Sequence, residues 1–290
     1  NLVFDFSPKF LSLTSFDDTA GKSDFQANGR MDNYLQWWLK DSTLVGTFNL
    51  NSNLFDLNEL MGPSTETTAS AQPAAADTAA MSVMEVPKNV DFTMNAAVKQ
   101  VLYEKMTLAN AKGALRVHDE RVDLKNLFFN LFDGSVNMNG SYDTKDKAHP
   151  KFDLAYDVKG LDIKQTVDYV ETVQKMAPIA KACTGKFNTT LSMKGELDQH
   201  MSPVMNSLVG QGNVQTKSVT IEGFKPLMEI SNVLKMPQLA KATLQDVNFS
   251  FEFKDGKMIT KPFDVKLDRM TANIGGSTAF ADQAIDYTMK

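Results

Sequence analysis

Cysteine, histidine and tryptophan are scarce in these 290 residues, which hold one Cys, three His and two Trp. The lone Cys183 cannot close an internal disulfide, and with so few histidines it cannot supply four metal ligands at short spacing. Basic excess is also missing: 30 Lys and Arg stand against 35 Asp and Glu, a net charge of −5, with a pI near 5.3. That is the wrong sign for a nucleic-acid binder. No apolar run approaches the roughly 18 residues of a membrane-spanning helix. Nor is there a Gly-x-Ser-x-Gly elbow, and Gly210-Gln211-Gly212 has Gln215 where a dinucleotide fingerprint needs its third glycine. No catalytic residue, cofactor or metal site is expected. The chain reads as a non-enzyme, and because it opens on Asn1 rather than Met it reads as a fragment.

What the chain has in quantity is period-two alternation. Phe249, Phe251 and Phe253 alternate with polar residues, Asp255-Gly256 supplies a type I′ hairpin turn, and the pattern resumes through Phe263, Val265 and Leu267. A third run ends at Gly275-Gly276. The segment Gly113–Ser141 overlays Phe249–Ser277 without a gap at an offset of 136. The alternation is kept: Leu115 and Val117 fall on Phe251 and Phe253, Leu127 and Phe129 on Phe263 and Val265, and Leu131 on Leu267. In this register His118-Asp119-Glu120 is a solvated hairpin tip, His149 and His200 are loop residues, and Cys183 is a structural thiol.

Three regions follow. Residues 1–61 read as an N-terminal β-meander unit, and 62–88, rich in Ala, Ser, Thr and Pro, as a disordered linker or loop. Residues 89–290 read as a second β region. Helices are predicted near 163–182 and 224–240, from apolar stripes at three- and four-residue spacing, with Pro237 ending or kinking the second. Trp37 and Trp38 are expected on a strand, one in the core and one at its end. The fold class is mainly β (α+β): a long curled antiparallel sheet of repeated meanders forming a groove, with two or three covering helices. Two helices cannot cover so large an apolar face. The sheet therefore closes on itself, meets another copy, or keeps an apolar gutter.

The stretch from Leu208 to Lys290 carries Gly210-Gln211-Gly212 opening a strand and Ile221-Glu222-Gly223 before a helix. The hairpin Phe251-Glu252-Phe253-Lys254-Asp255-Gly256-Lys257 and Gly275-Gly276-Ser277 complete the pattern. It resembles the C-terminal region of AsmA-like proteins of the Bacteroidetes type, relatives of the repeating β-groove lipid-transfer proteins. The resemblance implies a periplasmic location, a parent protein anchored in the inner membrane through a segment absent here, and phospholipid or another acyl chain as ligand. It also implies an outer-membrane or periplasmic protein partner. Under it the chain is expected to shield acyl chains along Leu115, Val117, Leu127, Phe129, Leu131, Phe249, Phe251, Phe253, Phe263, Val265 and Leu267. The alternative is a scaffold for outer-membrane biogenesis whose β core is closed.

Overall fold

A computed structural model describes residues 2–61, 83–267 and 270–290. The alternating segments become β1 (Leu2–Ser7), β2 (Phe10–Ala20), β3 (Ser23–Asp32), β4 (Leu44–Asp56) and β5 (Val90–Tyr103). They continue as β6 (Met106–His118), β7 (Arg121–Leu131), β8 (Gly134–Asp143), β9 (Lys151–Asp162) and β10 (Cys183–Glu196). The last five are β11 (Val209–Glu222), β12 (Lys241–Lys254), β13 (Lys257–Leu267), β14 (Met270–Ala279) and β15 (Ile285–Met289). All fifteen hydrogen-bond in chain order, with β1 and β15 as the edges among the described residues, so the sheet is not closed into a barrel.

The repeat is physical. Adding 136 to the bounds of β7 and β8 gives those of β13 and β14, and β6 maps onto β12 to within one residue at its start. The hairpin tips share left-handed backbone at Asp119 and Glu120 (φ 47° and 61°) and at Asp255 and Gly256 (φ 52° and 69°). Asn110 and Asp246, also 136 apart, both sit at positive φ, 54° and 50°.

One pairing departs from the expected antiparallel sheet. β4 and β5 run parallel, with Leu44 beside Val90 and Asp56 beside Leu102. The chain must therefore travel back along the whole of β4, roughly 40 Å at about 3.3 Å per residue, which no tight hairpin can do. The connection begins with α2 (Leu57–Met61). Residues 62–82, most of the segment expected to be a linker or loop, lie outside the described residues. Its final stretch crosses strand ends: the Met84 carbonyl accepts from Tyr142 (3.1 Å), the buried Val86 donates its N–H to Thr144 Oγ1 (3.1 Å), and the Pro87 carbonyl accepts from the Glu120 N–H (3.3 Å).

Helices occupy the predicted places in broken form. Residues 163–182 form α3 (Ile163–Tyr169) and α4 (Glu171–Met176), followed by a 3-10 turn at Pro178–Ala182. Asp162 caps α3 by accepting from the Gln165 N–H at 2.8 Å. α5 (Lys225–Leu234) stops before Pro237. Trp37 and Trp38 are not on a strand. They belong to α1 (Tyr34–Lys40), where Tyr34, Trp37 and Trp38 follow helical spacing rather than alternation.

The chain divides into two compact units: residues 1–129 with 140–152 and 197–202, and residues 130–139 with 153–196 and 203–290. In the first unit the polar face fixes strand register. Asn49 donates to Asn28 (2.9 Å) and accepts from Asn95 (3.1 Å), forming an amide ladder over β3, β4 and β5. Asp24 accepts from the backbone N–H groups of Leu54 (2.7 Å) and Asn53 (2.8 Å) and from the Asn53 amide (2.8 Å).

These bonds, the Leu54 N–H first, hold the Asp24 pKa down at about 2. Because the folded value lies below the unfolded one, the stabilisation is complete above about pH 4 and is lost as pH falls toward 2. Asp24→Asn is expected to lower the thermal midpoint at neutral pH, and the gap from wild type should close between about pH 4 and 2. Circular dichroism melts across that range measure it.

Candidate functional site

In the first unit, strand register stacks apolar side chains into rows that cross the strands. One row runs Phe6, Leu11, Met31, Gly46, Phe92, Val117, and the next runs Phe4, Leu13, Gly29, Phe48, Met94, Leu115. A third runs Leu2, Phe16, Ala27, Leu50, Ala96, Gly113. On the opposite face the same strands carry Asn28, Arg30, Thr47, Asn49, Thr93 and Asn95. Five strand spacings of about 4.8 Å make each row roughly 24 Å long. Nearly all side chains of these rows on β2 to β6 are half-buried, and those on β1 are exposed.

Glycines give the rows their surface. A Cβ on Gly46 would lie 2.7 Å from the Phe92 ring, and one on Gly29 2.5 Å from the Phe48 ring. Each ring thus lies over the glycine of the neighbouring strand, and the two rings stack at 4.7 Å with planes 13° apart. The second unit uses the same device, with Phe251 over Gly212, where a Cβ would meet the ring at 2.6 Å. Aromatic rings fill the space the glycines leave and cover their backbone.

The expected lining residues divide by unit. Leu115, Val117, Leu127 and Phe129 are half-buried in the first unit. In the second, Leu131 is half-buried, but Phe251, Phe253 and Val265 are only 7%, 2% and 5% exposed, covered by the chain itself. Phe249 and Phe263, 5.0 Å apart, pack on a core of Ile163 and Val167 from α3 with Val219 and Val247. Phe251 to Phe253 and Phe253 to Phe280 continue the ring chain at 5.2 and 5.8 Å. The side chain of Leu267 lies outside the described residues. Sequence reasoning missed Met31, Phe48, Leu50, Phe92 and Met94, although their alternation was present. The missing signal was the parallel pairing that brings β4 and β5 side by side.

Other groups are structurally occupied. His118 bridges Asp119 (3.1 Å) and Asp123 (2.9 Å), which raise its pKa, Asp123 foremost. Arg116 makes a two-pronged pair with Asp91 at 2.8 and 2.9 Å. Burial pushes the Cys183 thiol up to about 11, so it is protonated at neutral pH. No group of three His, Cys, Asp or Glu among the described residues is placed to hold a metal. The second unit has a hollow of about 430 Å³ whose lining is mixed, with Tyr156, Leu191 and Phe251 beside Thr190, Asn213 and Lys261.

No family model, curated protein or solved structure matches this chain.

Two substitutions test the packing. Gly46→Ala forces its new methyl against Phe92 and should cost about 1–3 kcal/mol in denaturant unfolding. Val265→Asp places an unpaired carboxylate in the covered face of the second unit, and a loss of about 3–5 kcal/mol is expected, read by the far-UV signal.

Proposed function

We propose that this chain is a non-enzymatic segment of an AsmA-like periplasmic protein and that it shields lipid acyl chains for phospholipid transport between membranes. The observation that carries this reading is the set of three apolar rows, half-buried on β2 to β6, backed by a polar face. Half the thickness of a bilayer's hydrocarbon core is about 15 Å, so a row of roughly 24 Å accommodates an acyl chain along its length. Each methylene transferred from water to the rows contributes about 0.8 kcal/mol, with no directional bonds that would select one chain length. Headgroups remain in water at the margin of the rows. The parent's inner-membrane anchor and its envelope partner belong to the same proposal.

The scaffold reading draws its support from the second unit. There Phe251, Phe253 and Val265 are buried among the chain's own residues, as in a closed core. The two readings fit together if the first unit carries ligand and the second is its rigid support.

Lipid extraction and mass spectrometry of the purified protein test the proposal. Wild type should carry co-purifying phospholipid. Leu115→Glu, at a half-buried position, should keep its circular dichroism spectrum and lose most of that lipid. Wild type free of lipid and unable to bind a fluorescent fatty acid would overturn the reading.

A further inference from the structure

α1 is seven residues long, five of them Tyr, Leu or Trp, and it buries none of them. Trp38 is 75% exposed and Leu39 68%, and across from them Phe6, 72% exposed, lies 5.7 Å from the Tyr34 ring. The N-cap Asn33 forms no side-chain capping hydrogen bond, and so short a helix is not stable alone in water. It is held by the Tyr34 hydroxyl, which donates to the Ser7 carbonyl at 2.9 Å, and by the Asn33 N–H, which donates to Lys9 at 3.2 Å. The fold thus fixes a greasy aromatic turn whose Trp37, Trp38 and Leu39 stay exposed among the described residues.

The charges around this turn narrow what covers it. Lys9, Lys40 and Lys88 are exposed and form no ion pair among the described residues. Of the nearby carboxylates, Asp32 pairs with Arg30 at 2.8 Å, and Asp41 accepts from the neutral Asn89 amide at 2.6 Å and keeps its charge. Free lysines around exposed Trp, Tyr and Leu are the chemistry of the bilayer boundary, where the rings sit at headgroup depth and ammonium groups meet phosphates. α1 also directly follows β3 and precedes β4, at the strand ends bordering the row of Phe6, Met31 and Phe92.

We infer that α1 inserts Trp37, Trp38 and Leu39 into the headgroup boundary of a phospholipid bilayer and so brings the end of the apolar rows to the membrane. The insertion stands on α1 alone, whereas its role as an entry for acyl chains rests on the lipid-shielding reading above.

Trp37 and Trp38 are the two tryptophans of the chain, so intrinsic fluorescence reports on α1 directly. With vesicles of phosphatidylcholine and phosphatidylglycerol, emission should shift to the blue, brominated acyl chains should quench it, and the protein should float with the vesicles. Trp38→Ala combined with Leu39→Ala should lower partitioning by about tenfold or more per side chain removed, with an unchanged circular dichroism spectrum. Leu115→Glu should float like wild type. Fatty-acid binding in solution, without vesicles, is measured on the same proteins. Absent flotation with fatty-acid binding intact overturns this inference alone, and flotation without fatty-acid binding overturns the shielding reading alone. Emission already blue-shifted without vesicles, together with a dimer in sedimentation, would assign the turn to a second copy and overturn insertion. Flotation lost in Leu115→Glu and kept in the α1 variant would overturn it too.

Discussion

Everything in this structure answers to one constraint, an apolar sheet face larger than its helices can cover. A strand alternates faces with period two, so every apolar residue in these alternating runs adds to the same side. In an ordinary two-layer domain a second sheet or a layer of helices hides that side. Here the strands hydrogen-bond in simple chain order and do not close into a barrel. The face must be managed locally, and the aromatic rings over Gly29, Gly46 and Gly212 are the local means. A ring lying flat across its neighbour buries its own carbon and the glycine backbone together. Phe48 and Phe92 do this side by side and gain ring stacking as well.

Such a face is slippery in register, because one apolar row serves about as well as the next. The polar side supplies the discrimination. An amide ladder of Asn28, Asn49 and Asn95 can form in one alignment only, and it spans the parallel junction where no hairpin turn sets the pairing. Asp24 clamps the far part of β4 through two consecutive backbone N–H groups. The acyl-shielding reading depends on this division of labour, since the apolar side can remain featureless only if specificity is written on the other.

Much of the fold was legible because hairpin chemistry is local. Asp255-Gly256 and its counterpart Asp119-Glu120 mark turns, and the offset of 136 carried strand bounds from one meander to the other. The parallel pairing of β4 with β5 was not legible, because it depends on a connection whose composition carries no periodic signal. α1 was missed for a related reason: seven residues give too few periods to separate helix from strand, and two adjacent tryptophans suit either. Which apolar positions end up covered was also beyond local pattern, since alternation gives the side a residue faces and not what lies above it.

The two copies of the meander show how the same pattern reaches different ends. At matched positions the first has Gly113, Leu115, Val117 and Leu127, and the second has Phe249, Phe251, Phe253 and Phe263. Four larger side chains raise the second face until its rings touch one another. The chain then adds α3, whose Ile163 and Val167 rest on Val219 and Val247 and close what the rings leave. The first copy has smaller residues at these positions, and its side chains stay half-buried. Side-chain volume at four aligned positions, with one short helix inserted after β9, thus separates a packed face from one whose side chains at those positions stay half-buried.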